Sequence, residues 1–172
     1  MKLLYSGELN SQTLDLPGHP SSGNVPTRYA IVPVTICGIR SDGSRGPAQD
    51  EQAMIDTGAT TSAIHPDLSE GLGVDAVSRE EGMASGDETP VEVPVFHVAI
   101  AITSPAGDIR AEWRPNAVEL PLPYPDLFRV IIGTDILAGC QFTYNGTAGR
   151  IISFPGLGNG PIGEFRLEIP ES

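Results

Sequence analysis

Asp56 is the residue whose type and setting point most directly to chemistry. It lies in Ala53-Met54-Ile55-Asp56-Thr57-Gly58-Ala59-Thr60-Thr61-Ser62-Ala63-Ile64, where an apolar strand exits into a turn built from a hydroxyl and a glycine. Two carboxylates held close together cannot both ionise, so a pair can divide acid and base work between them. No second Asp-Thr-Gly follows in the chain. If Asp56 belongs to a two-carboxylate site, its partner comes from another chain. The same tripeptide also reads as a surface turn, with Asp bonding the backbone and Gly at positive φ. Apolar residues on both sides favour a segment that is buried instead.

A second segment, Val130-Ile131-Ile132-Gly133-Thr134-Asp135-Ile136-Leu137, runs from a buried strand into a brief helix. Between the two lies Gly82-Met83-Ala84-Ser85-Gly86, small residues suited to a moving hairpin tip. Other candidates do not assemble. His19, His65 and His97 show no ligand spacing. Gly156-Leu157-Gly158-Asn159-Gly160 opens no helix, which argues against a phosphate cradle. Ser62 has no plausible His partner nearby in sequence and nothing marks it as a nucleophile, and Cys140 has no basic neighbour to activate a thiol.

These segments need strands to hold them. Gly 20 and Pro 16 in 172 residues favour many short strands joined by tight turns, which predicts an all-β class. Residues 1–14 alternate weakly and read as one or two edge strands, and 15–27 as a loop. Tyr29 to Cys37 reads as a strand in which Pro33 marks an edge or a bulge. Glu51 to Ile55 leads into Asp56. His65 to Gly73 reads as a short helical turn, with Pro66 at its first position and glycine at its end. Val91 to Ile102 is the clearest strand, Ile109 to Trp113 follows it, and the proline-rich 115–125 is extended. Leu127 to Ile132 is a buried strand. Gln141 to Tyr144 and Arg150 to Phe154 read as a hairpin closed at Asn145-Gly146, and Phe165 to Ile169 as a last strand.

Composition bounds the rest. Hydrophobic residues at 40% and charged residues at 19% fit one globular domain over 1–172. A net charge of -12 repels phosphate backbones, so nucleic acid is not an expected partner. The N-terminus turns polar too early for a signal-peptide core, and no stretch has the length of a membrane span, so a cytoplasmic protein without membrane contact is expected. Cys37 and Cys140 are too few for a disulfide framework, and no metal or cofactor is expected.

In their order, Asp56-Thr57-Gly58-Ala59, the Gly82 to Gly86 turn, and Ile131-Ile132-Gly133-Thr134-Asp135-Ile136-Leu137 resemble retropepsin-like aspartic proteases. The resemblance spans about residues 29–154, leaving 1–28 and 155–172 as terminal extensions. It implies a single-lobe closed barrel with one or two short helices, a homodimer, and an aspartic endopeptidase that cleaves a polypeptide substrate. It further implies that Asp56, Thr57 and Gly58 form the catalytic loop, with Thr57 cross-bonding the two loops beneath an Asp56/Asp56 dyad. Ala59 leaves room for substrate, Val130 and Ile131 line the pocket wall, and Gly82, Met83 and Ala84 belong to the flap above. Arg129 is a further wall residue or a solvated one. Retroviral enzymes often carry an Asp and an Arg at the places of Thr60 and Thr134; here both are absent together, which fits the cellular branch. Two other readings stay open: a retropepsin-fold module that binds peptide or dimerises without cleaving, and a structural β-domain in which Asp56 is a turn residue.

Overall fold

The computed structural model describes residues 1–8, 10–14, 25–82, 89–145 and 164–170. The Gly86 end of the glycine-rich turn, His19, Arg150 to Phe154 and the loop 156–163 lie outside them, as do Met83 and Ala84. Thirteen strands and two short α-helices make up the described fold. In chain order the strands are β1 (Lys2–Glu8), β2 (Asn10–Leu14), β3 (Val25–Tyr29), β4 (Ile31–Gly38), β5 (Gln49–Ile55), β6 (Ala63–Ile64), β7 (Ser78–Gly82), β8 (Val91–Thr103), β9 (Arg110–Trp113), β10 (Asn116–Glu119), β11 (Val130–Ile132), β12 (Gln141–Asn145) and β13 (Glu164–Ile169). The helices are α1 (Pro66–Ser69) and α2 (Thr134–Leu137). The class is all-β.

The largest sheet runs β10-β6-β11-β5-β4-β8-β7, and β10 also pairs with β8. That extra pairing closes β10, β6, β11, β5, β4 and β8 into a ring, the barrel expected from the sequence. Its seam is β8. One edge of this long strand pairs with β7 and then β4, the other with β10 and then β9. Period-two alternation divides its side chains. Phe96, Val98, Ile100 and Ile102 enter the main core, whereas Val93 and Val95 enter a second cluster on the opposite face. Each Val or Ile so buried contributes about 1.5–3 kcal/mol, which is why a chain rich in β-branched residues settles into these layers.

Pro33 is tolerated because the β4–β8 pairing begins only at Thr35, so at Pro33 the described pairing partner is Gln52 of β5. Two expectations are corrected. The strand foreseen over 29–37 is interrupted at Ala30, and Val25–Tyr29, foreseen mostly as loop, is strand β3 paired with β2. The stretch foreseen as merely extended contains β10, which pairs with both β6 and β8. The described partner of β12 is β13, at the far end of the chain. β13 also pairs with β1, so the chain ends meet in a three-stranded sheet, β1-β13-β12. Leu4, Phe165 and Leu167 from that sheet are buried in the main core.

Candidate active site

The loop that carries Asp56 is fixed by two neighbours. The Ile55 N–H donates to the Ala30 carbonyl at 2.9 Å, and the Asp56 N–H donates to the Ile132 carbonyl at 3.0 Å. β5 and β11 run parallel with Ile55 opposite Ile132, which brings Asp56 level with Gly133. Within the loop, the Gly58 N–H donates to Asp56 Oδ1 at 2.8 Å. Gly58 is not in the left-handed region. A Cβ there would sit 3.2 Å from Asp56 Oδ1, closer than ordinary van der Waals contact. Thr57 and Gly58 are exposed and Asp56 is partly so.

Gly133 is where the second segment crosses the loop. A Cβ on Gly133 would lie 2.7 Å from the Thr61 carbonyl carbon and 2.9 Å from its oxygen, distances that backbone atoms cannot accommodate without moving. The Thr134 N–H donates to the Ala59 carbonyl at 2.9 Å, and the Thr134 hydroxyl donates to the Thr60 carbonyl at 3.3 Å. Neutral hydrogen bonds therefore join the two positions where an ion pair is absent, and no charge is stranded there.

Ser62 and Asp135 form a hub that sequence reading missed. Ser62 is fully buried. Its hydroxyl donates to Asp135 Oδ1 at 2.7 Å and accepts from the Gly133 N–H at 3.1 Å; its own N–H donates to Asp135 Oδ2 at 3.0 Å. Asp135 Oδ1 also accepts the Ile136 N–H at 3.0 Å, in the first turn of α2 where a carboxylate suits the helix dipole. One serine thus locks the strand after Asp56 to the segment that crosses it. The available signal was a polar residue inside an otherwise apolar run.

An apolar row flanks the loop. Met54, two residues before Asp56, faces away from the main core and is level with Ile31 and Ile131 on its neighbouring strands. Ile131 is level with Ala63, and Ala63 with Val118. All five belong to the second cluster or pack against it. Of the two expected wall residues, Ile131 lies in this row and keeps exposed surface. Val130 is 0% exposed in the main core, because adjacent strand residues point to opposite faces; it lies behind Ile131 and offers no surface to a ligand. Met54 and Ala63 were not foreseen, although alternation from Asp56 identifies Met54. Arg129 is not free in solvent: its guanidinium makes a two-pronged ion pair with Glu51, with Nε 3.0 Å from Oε2.

Gly82 ends β7 opposite Val91, where a Cβ would come 2.6 Å from Val93 Cγ2. Grooves of about 350 and 380 Å³ lie along β4–β5–β8 and beside Thr61 and Asp135, and Asp56 lines neither. His65 caps α1 by accepting the Asp67 N–H at Nδ1, and burial pushes the Cys140 thiol up, away from thiolate chemistry. Among the described residues no group of three or more His, Cys, Asp or Glu is placed to hold a metal ion, and no helix is long and apolar enough to cross a membrane.

The structure is similar to that of EIAV protease in complex with an inhibitor, at 18% identity over 64% of this chain and 86% of that one, with a TM-score of 0.36. It is also similar to a retropepsin-like aspartic protease from Rickettsia conorii, at 14% identity over 83% of this chain and 96% of that one, with a TM-score of 0.37. Neither a protein-family model nor a curated protein sequence matches the chain. Both structural likenesses are distant.

Proposed function

We propose that the protein is a retropepsin-like aspartic endopeptidase that acts as a homodimer, with Asp56 of each chain forming the catalytic dyad. The observation that carries this reading is a half-site. The Asp56 N–H donates to Ile132 of β11 and its carboxylate accepts the Gly58 N–H, yet its loop opens to the surface and no second Asp-Thr-Gly occurs in the sequence. A two-fold axis beside Thr57 and Gly58 would bring two identical loops together, as an isologous interface does.

The chemistry follows from that pairing. Two facing carboxylates share one proton, because both cannot be ionised at close range. The ionised one takes a proton from a water, which attacks the scissile carbonyl carbon. The protonated one gives its proton to the carbonyl oxygen, forming a tetrahedral diol. The carboxyl that took the proton from water then passes it to the leaving amide nitrogen, while a hydroxyl of the diol returns its proton to the other carboxylate as the C–N bond breaks. Thr57 hydroxyls would brace the two loops against each other, and Gly58 and Ala59 leave space for an extended peptide. Such a peptide would bind as an added strand between the loop and the β7–β8 hairpin that ends at Gly82. Met54 and Ile131 would supply an apolar floor backed by Ala63, and Met83 and Ala84 are proposed as further substrate contacts.

Incubating the wild type and Asp56→Asn with a peptide library across pH tests this reading. Cleavage by the wild type alone, with both proteins equally folded, is the expected result. Equal cleavage by Asp56→Asn overturns it, and peptide binding without cleavage by either protein points to a silent binding module.

A further inference from the structure

We infer that Arg45, Arg110 and Arg114, gathered around Glu112, form a docking surface for an acidic stretch of the polypeptide substrate, away from the bond that is cleaved. The link to the substrate rests on the protease reading; recognition of acidic peptide by this surface does not.

β9 builds the surface. Ala111 and Trp113 pack against the main core, so period-two alternation turns Arg110, Glu112 and Arg114 to the opposite face. Arg45 reaches the same carboxylate from the β4–β5 connection. Its Nη1 donates to Glu112 Oε2 at 2.9 Å and its Nη2 to Oε1 at 2.6 Å. That two-pronged pair occupies Glu112, and Arg110 and Arg114 approach its oxygens only at 3.6 and 3.5 Å. Their side chains are 56% and 59% exposed. Arg40 stands alongside, donating to the Arg45 carbonyl at 2.8 Å. The other carboxylates close by in sequence are engaged locally: Asp42 accepts the Ser44 N–H and Asp108 the Ser104 hydroxyl. Four of the chain's ten Lys and Arg residues thus collect in one place, in a chain whose formal net charge is -12.

Such a positive island on an acidic protein attracts an anion. The planar fork of a guanidinium matches a carboxylate two-pronged, as Arg45 and Glu112 already show. A nucleic acid would run beyond the island over surface that repels its phosphates, whereas a few Asp or Glu residues of a peptide fit within it. Arg114 connects the island to the candidate active site. With Trp113, Pro115 and Ile136 it lines the groove of about 380 Å³ beside Thr61, in the loop that leads from Asp56 to Ser62. Glu80 and Asp135 line that groove too. Acidic residues of a bound peptide are therefore repelled within the groove and belong beyond Arg114, while neutral or apolar residues occupy the groove itself.

Two measurements on the full chain test this. Fluorescence anisotropy with a labelled peptide of alternating Glu and Ser reads the surface alone. Arg110→Gln and Arg114→Gln should each weaken binding about two- to fivefold, the range of an exposed ion pair. Lys2→Gln removes the same charge from β1 and should not weaken it. Unchanged binding in both arginine variants, equal weakening in Lys2→Gln, or no binding by the wild type overturns the inference. So does an oligothymidylate of equal charge that binds more tightly and is released by the same variants, which would mark a nucleic-acid surface. Steady-state cleavage of a library-selected peptide, with and without a Glu-rich tail on either end, reads the link to the substrate. A tail on one end should lower the wild-type KM several-fold at unchanged kcat, and Arg110→Gln should lose that advantage. Tails that leave KM unchanged at both ends overturn the link, even where anisotropy shows binding. Absence of cleavage of every peptide, with anisotropy as expected, removes the protease reading and leaves the acidic-peptide surface standing.

Discussion

The Ser62 hydroxyl donates to Asp135 Oδ1 at 2.7 Å while accepting the Gly133 N–H at 3.1 Å, so one buried side chain binds the two segments that define the Asp56 loop. Ser62→Ala leaves the buried Gly133 N–H without its side-chain acceptor, which costs about 1–3 kcal/mol for such a group. Denaturant unfolding should show that loss with an unchanged slope, and cleavage per folded chain should fall as the loop loosens. Stability equal to wild type would mean that the hub does not hold the loop.

Gly133→Ala tests the crossing itself. Its added methyl meets the backbone of Thr61 at 2.7 Å, so strand and loop must part; overpacking of this kind costs about 1–3 kcal/mol. Activity should fall more than stability, because the displaced backbone is that of the proposed catalytic loop. A calorimetric melt and a rate at one peptide concentration suffice to compare the two.

Ile131 and Ile132 are adjacent but serve opposite faces. Ile132 is fully buried in the main core, so Ile132→Ala should cost about 2–5 kcal/mol. Ile131→Ala should cost less stability and instead change KM, chiefly for peptides with large apolar side chains next to the cleaved bond. The two variants should therefore exchange order between a denaturation series and a KM series.

Acid stability should depend on Glu112. Its carboxylate pairs with Arg45 at 2.6 Å, and that hydrogen bond, aided by Arg114, holds it below the usual carboxylate range. A carboxyl depressed by folding contributes stability above its unfolded pKa and loses it as pH falls through the folded value. Tm of the wild type should therefore drop on acidification, and Glu112→Gln should lie below it near neutrality while converging with it at low pH. A constant gap across pH would rule this out.

Much of the fold was legible because its signals are local. Pro66 opens α1, Gly73 ends the following turn at φ +63°, and the alternation of β8 sorts its side chains into two clusters. The parts that escaped are those set by distant partners. Asn116–Glu119 becomes a strand despite flanking prolines because β6 and β8 present edges to it. The β1–β13 pairing joins the chain's two ends, and Ser62 meets Asp135 across 73 positions. In the same way Arg129 gave no sign of Glu51, 78 positions away. In the site, the Asp56 loop and Gly133 were recognisable as motifs, whereas Met54 and Ala63 became neighbours of Ile131 only through strand register.

The central claim is that two Asp56 residues, one from each chain, make one active site. Mixing wild type with Asp56→Asn at equal amounts and fixed total chain tests it most directly. If pairing is random and a mixed dimer is inactive, cleavage should fall to about a quarter of the all-wild-type rate. A fall to about half, as expected for chains that act independently, would contradict it.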